Sequence, residues 1–140
     1  MYIVKTEECF DSAHFLAGYE GKCRNIHGHR WKVVLEVANE ELDDGGMVID
    51  FTDLKQELKL FVEKLDHAFI IERNSLRFTT LKALREDGFA IVEVDFRPTA
   101  ENFAKFFYDE FRKKNFAIRA VEVYETPKNC ARYEEAHING

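Results

Sequence analysis

The stretch CRNIHGHRWKVVLEVA, residues 23–38, holds both the clearest strand pattern and the densest group of reactive side chains in the chain. In its second half, bulky apolar residues stand at every other position: Trp31, Val33, Leu35 and Val37. Residues two apart lie on the same side of an extended segment, so these four side chains would form one buried face. The spacing predicts a β-strand over residues 31–38.

Further elements are predicted on both sides of this strand. Residues 2–10 are β-rich and are expected to pair with it, with residues 15–26 as a long connection. Asp50 and Thr99 stand at N-cap positions before segments whose apolar residues recur at helical spacing. The predicted elements, in chain order, are strands at 2–10 and 31–38, a helix at 51–65, a strand at 89–94, a helix beginning after Thr99, and strands at 117–125 and 131–137. This order predicts an α+β fold, an antiparallel sheet with its helices on one face.

The composition favours one globular domain spanning residues 1–140. Of the residues, 46% are hydrophobic, while 2 Pro and 7 Gly are too few for a flexible linker or a low-complexity segment. The first ten residues include Lys5, Glu7 and Glu8 where a signal peptide needs an apolar run. We therefore expect a cytoplasmic protein with no membrane partner. Its 3 cysteines are an odd number, which in a reducing compartment favours free thiols over disulfides.

The charge balance argues against nucleic acid as a partner. There are 26 acidic and 20 basic residues, a net charge of −6, whereas binding to phosphate backbones requires an excess of basic residues. One stretch differs, since residues 21–35 contain no acid but four basic side chains: Lys22, Arg24, Arg30 and Lys32. This stretch is compatible with a binding site for a small anion or with a solvated basic strand edge.

Three histidines have the spacing of a metal site. His27 and His29 are separated only by Gly28, so in a strand both imidazoles would point to the same side. His14 ends the segment expected to pair with that strand, and it would supply a third ligand. Three imidazoles with one open position are typical of catalytic zinc, whereas Cys23 as a fourth ligand would make the site structural. The spacing also occurs by chance on strands without metal, so these interpretations stay open at this point.

Five motifs in order resemble the 6-pyruvoyl-tetrahydropterin synthase family. They are SAH at 12–14, CxxxHGH at 23–29, LDH at 65–67, PTAEN at 98–102 and YET at 124–126. Within this family the chain most resembles the bacterial 6-carboxytetrahydropterin synthases of queuosine biosynthesis. Residues 72–97 depart from the short members of the family.

The resemblance implies a fold, an assembly and a cofactor. The fold would be a T-fold, an antiparallel four-stranded sheet with two helices on one face. Subunits would form trimeric barrels that stack as a homohexamer, a dimer of trimers. Zn²⁺ would be held by His14, His27 and His29.

The resemblance also assigns roles to five further side chains. Cys23 would be the catalytic base, and Asp66 and His67 would complete a proton relay across a subunit boundary. Glu125 would anchor the pterin, and Glu101 would be a second carboxylate of the substrate pocket. From the residues alone, the last two have simpler explanations: a strand-end Glu is usually solvated, and an acid in the first turn of a helix stabilises the helix dipole.

The implied reaction converts 7,8-dihydroneopterin triphosphate to 6-carboxy-5,6,7,8-tetrahydropterin and releases acetaldehyde and triphosphate. Lys22, Arg24 and Arg30 are the candidates for binding the phosphates. One alternative is 6-pyruvoyl-tetrahydropterin synthesis, in which triphosphate is eliminated and the side-chain carbons stay. Another is a non-catalytic assembly protein with a structural zinc.

Overall fold

Six strands form one mixed sheet in the order β4-β3-β1-β2-β5-β6 in the computed structural model, which describes residues 1–135. The strands are β1 (Tyr2–His14), β2 (His27–Asn39), β3 (Ala68–Glu72), β4 (Ile91–Val94), β5 (Ile118–Thr126) and β6 (Asn129–Glu134). The helices are α1 (Phe51–Glu63), α2 (Phe78–Glu86) and α3 (Ala100–Lys113), and a 3₁₀ turn, η1, covers Lys22–Arg24. The strand predicted at 131–137 corresponds to β6, and residues 136 and 137 lie outside the described residues.

A long antiparallel hairpin, β1 with β2, forms the middle of the sheet. It pairs without interruption from Tyr2 opposite Asn39 to His14 opposite His27. Both strands are longer than predicted, because β2 begins at His27 rather than Trp31 and β1 has partners up to His14. The end of the hairpin therefore places His14 directly beside His27 of the CRNIHGHRW motif.

The main core lies on the sheet face covered by α1 and α3. Alternate residues of β2, from Trp31 to Val37, are buried against it, as the alternation predicted. Both predicted N-caps are confirmed: Asp50 accepts from the Thr52 N–H at 2.8 Å, and Thr99 accepts from the Asn102 N–H at 3.2 Å. The core side chains of the two helices are Leu54, Leu58, Val62, Phe103, Phe107 and Phe111.

Residues 68–94 differ from the implied four-stranded antiparallel sheet with two helices on one face. Strands β1, β2, β5 and β6 form an antiparallel part, but β3 pairs parallel with β1 and β4 pairs parallel with β3. Helix α2 connects β3 to β4 and packs on the opposite face, since Ile71 contacts Leu81 of α2 while its neighbour Ile70 joins the main core. A parallel strand buried on both faces has no apolar alternation, which is why periodicity did not predict β3.

None of the helices within residues 1–135 combines the length and the apolar character that crossing a bilayer requires.

Candidate active site

Three imidazoles converge at the end of the β1–β2 hairpin. His14 lies directly opposite His27, and His29 lies opposite Ser12. All three rings therefore lie on the core face, within two residues of one another along the paired strands. The Nε2 atoms of His14 and His27 are 3.0 Å apart. Ligand atoms of the three histidines and of Glu125 all lie within 4.8 Å of one another. The structure therefore brings together the three predicted ligands and adds a carboxylate.

Backbone carbonyls fix the tautomers of two of these rings. The Nδ1 atom of His14 is 2.7 Å from the carbonyl oxygen of Pro98, and that of His27 is 2.7 Å from the carbonyl oxygen of Asn25. A carbonyl oxygen only accepts, so in each ring Nδ1 carries the proton and Nε2 keeps a free lone pair. This arrangement is the usual outer support of metal-binding histidines.

Two Nε2 lone pairs facing each other at 3.0 Å require a cation between or beside them. Burial lowers the pKa of His14 to about 4 despite the opposing hydrogen bond to Pro98, which disfavours a proton on its Nε2 at neutral pH. Burial also lowers the pKa of His29, against the opposing charge of Glu125. Imidazoles with one carboxylate are a donor set that zinc accepts, so the residues present fit Zn²⁺.

Glu125 joins the histidines from the neighbouring strand. One of its oxygens lies 3.4 Å from Nε2 of His14 and 3.3 Å from Nε2 of His29. The last β2–β5 pair is Lys32 with Tyr124, so Glu125 stands one residue further, at the open end of the core face. The side chain is about one-third exposed, at 30%, and can therefore reach both the histidine group and a ligand outside it.

Trp31 forms the floor of the histidine group. Its ring centre lies 5.0 Å from that of His14 and 5.5 Å from that of His29, both edge to face. The indole is fully buried and packs on Phe10 and Phe103 of the core. The imidazoles therefore stand on a rigid aromatic surface and have little freedom to turn away.

Asp66 and His67 form a hydrogen-bonded pair just after α1. Their side chains meet at 2.8 Å between Asp66 Oδ2 and His67 Nδ1. Helix α1 ends at Glu63, before the pair, and His67 takes a left-handed conformation with φ of 61°. That conformation costs about 1 kcal/mol for a non-glycine residue, and the His67 N–H donating to the carbonyl of Asp11 at 2.6 Å holds it.

The Asp66 carboxylate is fixed from a second side. Its Oδ1 accepts from the Asp11 N–H at 2.8 Å, and this bond, with that to His67, lowers the pKa of Asp66. Arg30, a candidate phosphate ligand, donates instead to the Asp11 side chain at 3.0 Å. His67 itself is largely exposed, with 79% of its side chain accessible, so its Nε2 faces outward. The His67 ring of this pair is therefore accessible to another molecule or subunit.

A cavity of about 640 Å³ lies at the end of the β1–β2 hairpin, on the sheet face opposite the imidazoles. His29 and His67 line it together with an apolar wall from β3, α2 and the α2–β4 connection, formed by Phe69, Leu84, Phe89 and Ala90. Segment 68–94, which the sequence pattern did not explain, therefore supplies one side of this cavity.

Cys23 and Glu101 lie apart from the converging group. Cys23 is half-buried in η1, and among residues 1–135 the side chain that joins the three histidines is Glu125 and not the Cys23 thiol. Glu101 is exposed in the first turn of α3, where its charge favours the helix N-terminus. Sequence reasoning did not identify the carbonyls of Pro98 and Asn25 as supports of the histidines, because every residue carries a carbonyl and only the fold selects two of them.

Comparisons with known proteins match the chain to tetrahydropterin synthases. The family model described as 6-pyruvoyl tetrahydropterin synthase matches residues 3–136. The chain is 37% identical over 144 residues to the Haemophilus influenzae protein named 6-carboxy-5,6,7,8-tetrahydropterin synthase, covering 96% of this chain and 100% of that one. It is 36% identical to the Aquifex aeolicus protein of the same name, with 81% and 76% coverage.

Solved structures share the fold. An uncharacterized protein from Wolinella succinogenes superimposes with a TM-score of 0.83 at 26% identity, covering 96% of this chain and 98% of that one. The Plasmodium falciparum 6-pyruvoyl tetrahydropterin synthase superimposes with a TM-score of 0.73 at 22% identity, with 96% and 97% coverage, and indicates the fold alone.

Proposed function

The chain belongs to the 6-pyruvoyl tetrahydropterin synthase family, and on that premise we propose that it is a 6-carboxytetrahydropterin synthase of queuosine biosynthesis. It converts 7,8-dihydroneopterin triphosphate to 6-carboxy-5,6,7,8-tetrahydropterin and releases acetaldehyde and triphosphate. The observation that carries this proposal is the convergence of three imidazoles with Glu125 in a chain whose relatives are named 6-carboxy-5,6,7,8-tetrahydropterin synthase.

Zn²⁺ would be held through the Nε2 atoms of His14, His27 and His29. When bound, it supplies a Lewis acid that stabilises negative charge developing on side-chain oxygens of the substrate. Pro98 and Asn25 keep the protons on Nδ1 of two of these rings, and Trp31 prevents the rings from turning. These contacts support a site that is shaped before substrate arrives.

Cys23 is the proposed base, and Asp66 with His67 forms the proposed relay. Asp66 holds the His67 ring by Nδ1, which leaves Nε2 to take up or give a proton. The exposure of His67 supports a partner on another subunit, namely the Cys23 thiol of a neighbouring chain. Cys23 lies in a turn between Lys22 and Arg24.

Glu125 is the proposed anchor of the pterin. The amino-pyrimidinone edge offers two parallel N–H donors, which a carboxylate accepts in bidentate fashion. Its distance of 3.3 Å from His29 would hold the pterin ring next to the metal position. Glu101 is proposed as a second carboxylate of the pocket, and Lys22 and Arg24 as ligands of the triphosphate; Arg30 is occupied by Asp11.

The proposed assembly is a homohexamer built from two trimeric barrels. Among residues 1–135, β6 pairs only with β5, so its outer edge is available to a strand of another subunit. Light scattering on the purified protein measures the assembly directly, and a monomer at working concentration would contradict both the barrel and the shared site.

Product analysis tests the reaction. The metal-loaded protein is incubated with 7,8-dihydroneopterin triphosphate, and the products are identified by mass spectrometry. We expect a carboxylated pterin and one equivalent of acetaldehyde. A product that retains the three-carbon side chain would contradict this activity and indicate 6-pyruvoyl-tetrahydropterin synthesis. The Cys23→Ala protein is the control for uncatalysed breakdown of the substrate.

A further inference from the structure

Arg97 has an unusual set of partners for a cation. Its Nη2 donates to the carbonyl oxygen of Ala17 at 3.3 Å, and its guanidinium centre lies 5.7 Å from the ring centre of Tyr19. Its Nε is buried without an acceptor among the residues that the structure describes. A planar guanidinium can donate a hydrogen bond and stack on a ring at the same time. Arg97 therefore contacts the connection after β1 at two residues, Ala17 and Tyr19.

The Tyr19 ring in turn packs against the backbone at the start of η1. A Cβ added at Gly21 would lie 2.9 Å from the Tyr19 ring, so the ring rests directly on the backbone there. Gly21 has φ of 153°, a conformation that side chains rarely adopt. The ring and the turn are therefore in contact at a position where only glycine fits.

Backbone hydrogen bonds close the turn around Cys23. The Leu16 N–H donates to the Cys23 carbonyl at 2.8 Å, and the Arg24 N–H donates to the Gly21 carbonyl at 3.3 Å. The Tyr19 N–H donates to the Leu16 carbonyl at 3.2 Å. Because Tyr19 and Cys23 share Leu16 as a partner, a displacement of the ring would also move the thiol.

The other end of this chain of contacts is anchored beside the histidines. The Arg97 carbonyl accepts from the Thr99 N–H at 2.8 Å and from the Asn102 side chain at 2.9 Å, which fixes it to the start of α3. The next carbonyl, that of Pro98, holds His14. The dipeptide Arg97–Pro98 thus contacts both the first proposed metal ligand and the support of the cysteine turn.

We propose that Arg97, acting through the Tyr19 ring and the Ala17 carbonyl, is a positioning residue that fixes the Cys23 turn relative to the histidine group. The inference rests on the proposed function only in that Cys23 is the base; the geometry of the turn stands independently. Loss of the Arg97 side chain frees the turn, exposes the thiol and misplaces it for proton transfer. We expect substrate binding to be little affected, because the Arg97 guanidinium donates to Ala17 and lies over Tyr19 within the chain.

Thiol labelling of the metal-loaded protein tests this placement without any turnover. Iodoacetamide labelling of Cys23 and Cys9 is followed in the same sample by peptide mass spectrometry. We expect Cys23 to label several-fold faster in Arg97→Gln and Tyr19→Ala, while Cys9, in the middle of β1, is unchanged because the sheet stays intact. Tyr19→Phe keeps the ring and should label like the parent. Arg77→Gln removes an exposed arginine at the start of α2 and is the matched control.

Steady-state kinetics supply the second readout. In Arg97→Gln, kcat should fall by about ten-fold or more, the effect of a displaced catalytic group, with KM within about two-fold of the parent. Arg97→Lys, which can still donate to Ala17, should recover part of kcat.

Unchanged Cys23 labelling in both Arg97→Gln and Tyr19→Ala would overturn the proposal. So would unchanged labelling with a raised KM, which would make Arg97 a substrate ligand. If the parent turns over no pterin, the proposed function fails while the labelling comparison still decides the positioning.

Discussion

His14 and His27 face each other across the hairpin with their Nε2 atoms 3.0 Å apart, while the Nδ1 atom of each ring lies 2.7 Å from a backbone carbonyl. The two outer hydrogen bonds determine that both inner nitrogens are acceptors. The pair is therefore repulsive by itself and becomes favourable with a cation.

Metal removal is expected to destabilise the protein. Binding to the folded state alone stabilises it by about 4 kcal/mol when free metal is 1,000 times the dissociation constant, so chelation should lower Tm by several degrees. His27→Ala should remove both the bound metal and this chelator effect. His67→Ala, which changes an exposed histidine, is the matched control and should keep both. Metal content by atomic emission and thermal melts measure this; retention of full metal by His27→Ala would contradict the ligand set.

Glu125→Gln separates two roles of the carboxylate. An amide oxygen cannot accept both pterin N–H groups in the way a carboxylate does, and losing a charged hydrogen bond costs about 2 kcal/mol, roughly 30-fold in affinity. We expect weaker binding of a non-reacting pterin, measured by fluorescence titration, with zinc content unchanged. Loss of the metal together with pterin affinity would instead make Glu125 a metal ligand.

Mixing inactive variants tests whether the active site is shared. Cys23→Ala and His67→Ala proteins should each be nearly inactive, and hybrids formed by mixing them should contain some sites with both native groups. Recovery of a measurable fraction of activity is expected. Cys23→Ala mixed with the Cys23→Ala, His67→Ala double variant is the control and should recover nothing. Absence of recovery in the first mixture, with hybrid formation verified by native mass spectrometry, would contradict a site shared between subunits.

Glu36 makes stability depend on pH below about 4.5. Its carboxylate is almost fully buried on the sheet face opposite the main core, where Arg132 donates to both oxygens at 2.6 and 2.8 Å and Lys5 lies at 3.1 Å. The Arg132 guanidinium lowers the pKa of Glu36 from 4.5 to about 2. Since the folded-state pKa is depressed, the stabilisation is complete above about pH 4.5 and is lost as pH falls towards 2.

The size of this effect is about 3 kcal/mol, at 1.36 kcal/mol for each pKa unit. Urea unfolding between pH 2 and 7 measures it. Glu36→Gln should lose up to about 3 kcal/mol at pH 7, because a buried neutral amide replaces the carboxylate that pairs with Arg132 and Lys5, and should flatten the acid limb. Glu134→Gln removes a more exposed partner of Arg132 and should change stability by less than about 1 kcal/mol. An equal loss in both variants would show that burial of Glu36 is unimportant.

Local sequence patterns were sufficient to predict the strands and helices that bury only one face. The apolar alternation of Trp31 to Val37 and the four-residue spacing of Phe103, Phe107 and Phe111 each indicate one buried face, and Asp50 and Thr99 cap the helices that follow them. Segment 68–94 could not be predicted in this way. Strand β3 is buried on both faces and lies next to β1 through parallel pairing, a contact between residues more than fifty positions apart.

By itself, the sequence determined that three imidazoles would be available on one side of two strands, because side-chain alternation in a strand is a local property. Only the tertiary structure decided what surrounds them. Pro98 holds His14 from 84 residues away, Glu125 arrives at the end of β5, and β3, α2 and the α2–β4 connection line a cavity on the other face of the hairpin. These contacts depend on which distant segments meet when the core is buried, and a backbone carbonyl carries no mark in the sequence that would reveal its partner.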